Sequence, residues 1–404
     1  MVVEIRSLII PILLSATFIS CNSGADKGVN SNRVIDIEKS IGSIEIVNLS
    51  EVAKSINYIP LETNDSALIS NISRIICEND KIYVTDNSDK LYIFDLNGKY
   101  LNTLNRKGRG PQEYNVLRNF KVDEKSGDIF VLDSKGDILI YDSDLNFVRK
   151  IKSPVNKVNF TSFEIFGDSL FAATNFVALD NTPSNLILFN DSSEVINSFE
   201  FRPIDFISNG SDVPLRINHA IMTRFRDELR FFSVKSDTIF TIIPGGKATI
   251  AFTIKQGKYK EPERITYEDY ISHNAPFISI YNMFPETDNS LFFKMMLRGE
   301  TKEQIKDREI IRTNACGLFN KSDGKFTILA QAVKGKTGLK DDLKNGPPFW
   351  PEVSNSQQDL ISYKNASMII TFANEQPEAG GYLKELAAKL NENSNPVVII
   401  AKTK

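Results

Sequence analysis

The side chains best suited to bind a ligand fall in three long, loop-like segments of this 404-residue chain. Both histidines and the only tryptophan occur in these segments or at their ends. Aromatic rings offer a large contact area with little rotamer entropy to lose, which suits a saccharide ring or an extended peptide. An arginine can add a charge-assisted hydrogen bond to an acidic group. We therefore predict a ligand-binding site that comprises Arg216, His219, Tyr267, Tyr270, His273 and Trp350.

Packing roles are the alternative for several of these residues. Trp350 stands between Phe349 and Pro351 in a proline-rich run. There it would serve as a plug packed on the core rather than as a stacking platform. His219 and His273 have a second interpretation as hydrogen-bonded loop residues.

The motifs of common catalytic and cofactor sites are absent from the sequence. It contains no P-loop, no GxGxxG after a strand, no HExxH and no Cys-x-x-Cys. Three cysteines and two histidines are too few for a disulfide scaffold or a histidine-rich metal site. We therefore predict no catalytic residues, no metal and no cofactor. The formal net charge of −3 gives no electrostatic reason to bind nucleic acid.

The elements that would position the binding site repeat along the chain. Residues Ile72 to Leu104 comprise four short strands, and Asn97–Gly98 forms a hairpin turn before the fourth. The plan recurs five times, each copy with an aspartate between its first two strands. These aspartates are Asp80, Asp128, Asp168, Asp227, Asp288 and Asp359. Strands such as Leu91–Phe94 are apolar on both faces, which favours a six-bladed β-propeller over a two-layer sandwich with polar outer faces.

The two ends of the chain indicate how the ring of blades closes. The sixth unit lacks an outer hairpin, whereas Val34–Ile37 and Val397–Ile400 are single strands. Pairing these two would remove both free sheet edges, so we predict closure by an N-terminal strand paired with the C-terminal strand. The pattern in Pro377–Leu390 predicts one short helix near the C-terminus. Its apolar face would comprise Leu383, Leu386, Ala387 and Leu390.

The blade order also assigns the long segments to one face of the propeller. Connections between consecutive blades lie on the same face as the loops between second and third strands, and we call this the crossover face. The segments Phe201–Asn218, Lys255–Phe277 and Ala332–Glu352 all map to it. Because loops carry function more often than strands do, the predicted ligand site lies over the channel on the crossover face.

Three short segments resemble a known family. They are Tyr58–Thr63, Phe94–Lys99 and, above all, Arg106–Tyr114, which matches a GxGPxEY-like pattern. In these segments the chain resembles the six-bladed β-propeller lipoproteins of Bacteroidetes-type bacteria, whose architecture is NHL-like. The resemblance implies a cell-envelope propeller and supplies no catalytic residues. Its motif residues are expected to form a structural crossover: Gly108, Gly110, Pro111, Glu113 and Tyr114.

The N-terminus reads as a secretion signal. Residues Leu8 to Phe18 form an apolar run that is too short for a permanent membrane span. The run ends in Phe18-Ile19-Ser20-Cys21, which looks like a bacterial lipobox. We predict a signal peptide over residues 1–20, lipidation of Cys21, a flexible tether over 21–32 and the propeller over 33–404. The alternative is an ordinary signal peptide with an incidental cysteine.

These observations together favour a binding protein in the cell envelope. The predicted protein is held to a membrane by lipid on Cys21, and Asn22 favours the outer membrane, on its periplasmic or surface side. Its partner would be an envelope glycan, a peptide or a protein. The alternative is a propeller hydrolase or lyase, lactonase-like and metal-assisted. A third class is a structural component of an assembly.

Overall fold

A computed structural model gives the structure of the protein for residues 33–404, apart from several internal gaps. The gaps are residues 156–159, 168, 176, 179–183, 202–203, 208–214, 218–219, 234–235, 262–263, 267–276, 282–284 and 299–311. Only the backbone is described for residues 175, 177–178, 184, 204–207, 215–217, 264–266, 298 and 312–313. The predicted signal peptide, Cys21 and the tether lie outside the described residues.

The described chain begins with elements that precede the repeats. These are strand β1 (Val34–Asp36), helix α1 (Ile37–Ser40), strand β2 (Ile44–Glu45), a 3-10 turn (Leu49–Glu51) and strand β3 (Ala53–Pro60). The side chain of Asp36 caps α1 by accepting a hydrogen bond from the Lys39 amide at 3.0 Å.

Six antiparallel sheets follow in order, and the predicted six-bladed propeller is confirmed. Blade 1 has β4 (Arg74–Glu78), β5 (Lys81–Thr85), β6 (Leu91–Asp95) and β7 (Tyr100–Leu104). Blade 2 has β8 (Leu117–Val122), β9 (Ile129–Asp133), β10 (Ile138–Tyr141) and β11 (Phe147–Ile151). Blade 3 has β12 (Phe160–Phe166), β13 (Leu170–Asn175), β15 (Ser184–Asn190) and β16 (Val195–Phe201), with β14 (Val177–Ala178) in its loop.

The later part of the chain has insertions between consecutive blades. Two insertion strands come first, β17 (Ile204–Ile207) and β18 (Leu215–Ile217). Blade 4 has β19 (Ala220–Phe225), β20 (Glu228–Ser233), β21 (Thr238–Ile242) and β22 (Ala248–Lys255). A 3-10 turn (Gly257–Tyr259) and β23 (Arg264–Thr266) lead to blade 5, with β24 (Phe277–Ile280), β25 (Ser290–Arg298), β26 (Arg312–Asn320) and β27 (Phe326–Leu329). Blade 6 has β28 (Val353–Ser354), β29 (Leu360–Lys364) and β30 (Val397–Thr403).

Apolar side chains on both faces of each blade form the core between neighbouring blades. In β6, all four residues Leu91–Phe94 are at most 3% exposed. One apolar cluster joins blades 1 and 2 through Tyr83 and Phe120, and five further clusters join the other neighbouring pairs around the ring. Two-sided burial is therefore the consequence of radial packing, as the sequence pattern predicted.

The strand that closes the ring differs from the predicted one. β3, rather than Val34–Ile37, pairs antiparallel with β30, from Ala53 opposite Thr403 to Pro60 opposite Val397. The predicted pairing of Val34–Ile37 with Val397–Ile400 is wrong, because β1 runs parallel to the end of β22 in blade 4. β2 likewise adds a parallel strand to β27 in blade 5. β3 stands directly before blade 1 in the chain, so it reaches the outer position of the adjacent blade 6 over a short connection.

The hairpin turn at Asn97–Gly98 lies against the end of the closing strand β3. Gly98 has a φ of +82°, and a Cβ atom there would stand 2.1 Å from the carbonyl oxygen of Pro60 at the end of β3. The Asp95 carboxylate accepts hydrogen bonds from the amides of Asn97 and Lys99. Glycine is therefore required both by the left-handed backbone and by the approach of the closing strand.

Two helices connect β29 to β30. They are α2 (Ala366–Glu375), which the sequence analysis did not predict, and α3 (Gly381–Ala387), which lies inside the predicted helix Pro377–Leu390. Leu383, Leu386 and Ala387 of α3 are buried, as predicted. None of the helices in the described part of the chain is long and apolar enough to span a membrane.

The insertions build an additional small sheet. Its strand order is β14-β18-β17-β23, so segments from three different connections meet in it. β17 and β18 are antiparallel, whereas β17 and β23 are parallel. All these segments belong to connections on the crossover face, which agrees with the predicted assignment of the long segments.

Candidate functional site

The central channel opens into a cavity on the face opposite the crossover face. This face carries the turns between the first and second strands of the blades, and we call the opening the turn-face cavity. It has a volume of about 260 Å³ and is lined by residues from all six blades. Among its charged lining residues are Glu78, Lys121, Asp123, Glu124, Glu164, Arg224 and Arg226. Trp350, the one predicted ligand-site residue whose side chain is described, does not line it.

Ion pairs connect residues of different blades in the wall of the turn-face cavity. Arg224 of blade 4 reaches Glu124 at the end of the first strand of blade 2, with Nη2 2.7 Å from Oε1. Its Nε donates a hydrogen bond to the backbone oxygen of Arg226. Lys121 forms a second pair with Glu164 of blade 3. These contacts neutralise part of the charge and hold the side chains in place.

In the cavity wall, an ion cluster centred on the buried lining residue Glu286 connects blades 4 and 5. The Glu286 side chain is 1% exposed, and its Oε1 lies 2.7 Å from Nζ of Lys321. Arg230 Nε lies 2.9 Å from the other carboxylate oxygen, and Nη2 donates to Oε1 at 3.3 Å. Burial lowers the pKa of Lys321, and Glu286 acts against that shift. A buried carboxylate needs such partners because an unpaired charge is costly there.

Glu78 is one of two acidic cavity residues, with Asp123, that form no salt bridge among the described residues. Its carboxylate accepts hydrogen bonds from the amide and the hydroxyl of Ser356, both at 2.7 Å. Among the described residues it has no lysine or arginine in a salt bridge. Burial raises the pKa of Glu78 above its ordinary value of 4.5, and Glu124 adds to that rise, whereas the hydrogen bonds from Ser356 and the positive charge of Arg224 act against it. The site therefore presents a half-buried carboxylate that interacts with the charge of Arg224 but forms no salt bridge with it.

Cavity residues of the turn face were missed because their signal is weak in the sequence. The charged residues follow apolar first strands at each turn, as in Asp123-Glu124 and Arg226-Asp227. Such positions are also typical of ordinary solvent-exposed turns. Only the ring brings the ends of six first strands to one opening.

The predicted ligand-site residues have different positions in the structure. His219, Tyr267, Tyr270 and His273 lie outside the described residues. Arg216 is in β18 of the additional sheet, opposite Ala178 and Asp205, and its side chain is not described. The described backbone therefore places Arg216 in a sheet of the crossover face. A ligand-binding role for these five residues stays a prediction.

Trp350 is part of the core rather than the rim of a cavity. Its side chain is 4% exposed, and its ring packs edge-on against Phe292 with centroids 5.5 Å apart. The surrounding cluster includes Leu360 of blade 6 and Leu383 of α3. No ring face is available for a saccharide or peptide, so the ligand-binding interpretation of Trp350 is corrected to the packing alternative.

The GxGPxEY-like segment forms a tightly bonded crossover between blades 1 and 2. The Tyr114 hydroxyl, on a fully buried side chain, donates to the backbone oxygen of Asp89 at 2.8 Å. The Glu113 carboxylate accepts from the Gly110 amide at 2.7 Å. A Cβ atom at Gly108 would lie 1.9 Å from the same carboxylate, so glycine leaves the space that Glu113 occupies. Pro111 stands between these residues in the turn.

The described part of the chain contains two cysteines and no cluster of metal-binding side chains. Cys77 and Cys316 are buried free thiols. Burial raises the pKa of both thiols, that of Cys316 to about 11. No group of three or more histidine, cysteine, aspartate or glutamate side chains in the described ranges is arranged to hold a metal ion.

The fold and its channel define a six-bladed β-propeller with a charged cavity at one end. The chain belongs to the family described as "Domain of unknown function (DUF4934)", whose sequence model matches residues 32–402. A Bacteroides fragilis protein that is named as exported has a similar structure, with a TM-score of 0.67 and 17% identity. The match covers 92% of this chain and 99% of the other, and it shows the fold.

A second similar structure is a member of the DUF4221 family from Bacteroides vulgatus. It has a TM-score of 0.49 and 12% identity, and the match covers 87% of this chain and 98% of the other. No curated protein matches the chain significantly. The propeller part of the resemblance is confirmed by the sheets of this chain and by the similar Bacteroides fragilis structure, whereas its lipoprotein and NHL-like parts stay predictions.

Proposed function

We propose that this protein is a binding propeller of the cell envelope that takes a small polar ligand with a cationic group in the turn-face cavity. The observation that carries the proposal is Glu78, a half-buried carboxylate in the channel that forms no salt bridge among the described residues. An ammonium group placed there would make the charge-assisted hydrogen bond that Glu78 lacks.

The dimensions of the cavity limit the kind of ligand. A volume of about 260 Å³ is slightly smaller than that of typical small-molecule sites, which have about 300–1,000 Å³. The cavity thus suits a single amino sugar or the N-terminal residue of a peptide. Both belong to the glycan and peptide classes that the sequence analysis favoured.

The position in the envelope rests on the N-terminal sequence. The apolar run Leu8–Phe18 followed by Cys21 supports export and attachment through a lipidated cysteine. We place the protein on the outer membrane because Asn22 follows the cysteine. The hydrolase or lyase alternative has no observation of the described residues in its favour.

Binding of two amines and their acetylated counterparts tests the proposed ligand class. We expect glucosamine and Gly-Gly to perturb NMR signals of the turn-face cavity, and N-acetylglucosamine and N-acetyl-Gly-Gly to bind at least about tenfold more weakly, because acetylation removes the positive charge. Glu78→Gln should abolish this preference. Glu392→Gln, at an exposed loop residue, is the matched control and should retain it.

The pH dependence of glucosamine binding follows from the pKa of Glu78. Burial raises that pKa above 4.5, so the carboxylate is charged at neutral pH and becomes protonated earlier than a free glutamate as the pH falls. Because the glucosamine amine titrates at about pH 7.7–8.0, binding should be strongest between that pKa and the raised pKa of Glu78, and it should decline as the pH drops through the raised pKa. Absence of binding by both amines at tens of millimolar, or an unchanged preference in Glu78→Gln, would refute the cationic ligand.

A further inference from the structure

The family-motif segment lines a second cavity, which lies on the crossover face over blade 2. It has a volume of about 380 Å³ and is bounded by residues 108–113, the loop between β9 and β10, and the end of β11. We call it the motif pocket. It is separate from the turn-face cavity, since the two open on opposite faces of the propeller.

The acidic side chains of the motif pocket are occupied by local hydrogen bonds. Glu113 accepts from the Gly110 amide, as described above. Asp133 Oδ1 accepts from the amides of Asn115 at 2.9 Å and Val116 at 3.2 Å. Asp137 accepts from the Ser153 amide at 3.0 Å and lies 3.2 Å from Nζ of Lys152. These carboxylates therefore hold the backbone of the crossover and of the segment after β11.

The basic side chains of the motif pocket are not used in this way. Arg109, Lys135 and Lys150 line it, and within the described residues none of the three takes part in a salt bridge or side-chain hydrogen bond. They come from three separate segments, namely the motif, the loop after β9 and the outer strand β11. Like charges that line one pocket repel one another, and an anion bound in the pocket relieves that repulsion.

We propose that the motif pocket binds a tetrahedral oxyanion, a phosphate or sulfate group that is free or esterified to a saccharide. Arginine and lysine are the side chains that recognise such groups, arginine through a planar fork and lysine as a point charge. The motif contributes both the shape and a charge. Gly108 and Gly110 let the Glu113 carboxylate fold into the loop, and Arg109 between them stays exposed on the pocket side.

Titration with defined oxyanions tests this site. The probes are inorganic phosphate, inorganic sulfate, glucose 6-phosphate and uncharged glucose, added to the full chain at low ionic strength and followed by NMR or calorimetry. We expect the charged probes to bind and glucose not to bind. Tighter binding of glucose 6-phosphate than of phosphate would assign the source to a saccharide ester, and equal binding would assign it to the free ion. Affinity should fall as salt increases.

Matched substitutions separate the pocket from general surface charge. The double variant Lys135→Gln/Lys150→Gln should weaken phosphate or sulfate binding by about tenfold or more, since it removes two of the three available cations. Lys389→Gln, at an exposed lysine outside the pocket, should leave binding unchanged. Thermal unfolding of each variant verifies that the propeller is intact.

Two results would overturn the site. One is the absence of phosphate and sulfate binding in the intact protein at low salt. The other is equal weakening by Lys389→Gln and by the double variant, which would show diffuse surface attraction. Glu78→Gln should not change oxyanion binding, so the failure of the turn-face ligand and the failure of this site are distinguishable.

Discussion

At the scale of single residues, the same residue type has different roles in different surroundings. Glu286 is buried with two cationic partners, whereas Glu78 is half-buried with hydrogen bonds from Ser356 alone. Glu113 is used inside a loop. The charge of a carboxylate is available to a ligand where no salt bridge takes it up, which leaves Glu78 and Asp123. Burial raises the pKa of Glu78, whereas hydrogen bonds from Ser126 and Lys125 outweigh burial and lower the pKa of Asp123, so Glu78 is the carboxylate whose partners do not compensate for its burial.

Substitution of Trp350 tests whether this side chain belongs to the core. Trp350→Ala should destabilise the protein by about 3–5 kcal/mol, the usual cost of truncating a large buried aromatic side chain, because the ring fills the space against Phe292. Circular dichroism during thermal unfolding measures the change. Met368→Ala in α2, where the side chain is 46% exposed, is the control and should have a small effect. An unchanged unfolding temperature in Trp350→Ala would contradict the core assignment.

Among the secondary-structure elements, the three N-terminal strands have two different roles at the edges of the blades. β3 completes blade 6 through antiparallel pairing with β30 along seven of its residues. β1 and β2 only extend blades 4 and 5 by parallel pairs of three and two residues. The first contact closes the ring, and the other two cover edges that would otherwise be exposed.

Two deletions distinguish these roles. Deletion of Pro396–Lys404 removes β30 from between β29 and β3, so the chain should aggregate or fail to fold. Deletion of Val34–Asp36 from the otherwise intact chain removes the added strand of blade 4 and the Asp36 cap of α1, so that chain should stay monomeric, with a lower unfolding temperature. Size-exclusion chromatography and thermal denaturation measure both. If the first deletion is tolerated as well as the second, closure by β3 and β30 is not needed for the fold.

At the scale of the whole molecule, the two candidate sites have different charge and lie on opposite faces. The turn-face cavity has more acidic than basic residues in its lining, whereas the motif pocket has unpaired cations among the described residues. A propeller suits this arrangement because its six blade interfaces keep the ring rigid, while turns and crossovers vary independently on the two faces.

Attachment to a membrane is a prediction for the whole molecule. Cys21 should be the acylated first residue of the mature protein, because the apolar run ends at Ser20-Cys21. Several acyl chains on one residue give stable anchoring. Mass spectrometry of the N-terminus and detergent phase partitioning measure it, with Cys21→Ser as the control that should remain in the aqueous phase. A mature protein that starts elsewhere, or an unmodified Cys21, would show an ordinary signal peptide.

The number of blades, their strand pattern and the location of the long connections on one face could be predicted from the amino-acid sequence. These features depend on local turns such as Asn97–Gly98 and on two-sided apolar strands such as Leu91–Phe94, which are visible within a few residues. Tertiary structure alone decided which N-terminal strand closes the ring, that Trp350 is buried, and that Glu78 meets Arg224 and Ser356 around one cavity. Those outcomes depend on contacts between residues far apart in the chain, because the ring must form before its edges, its core and its channel have neighbours.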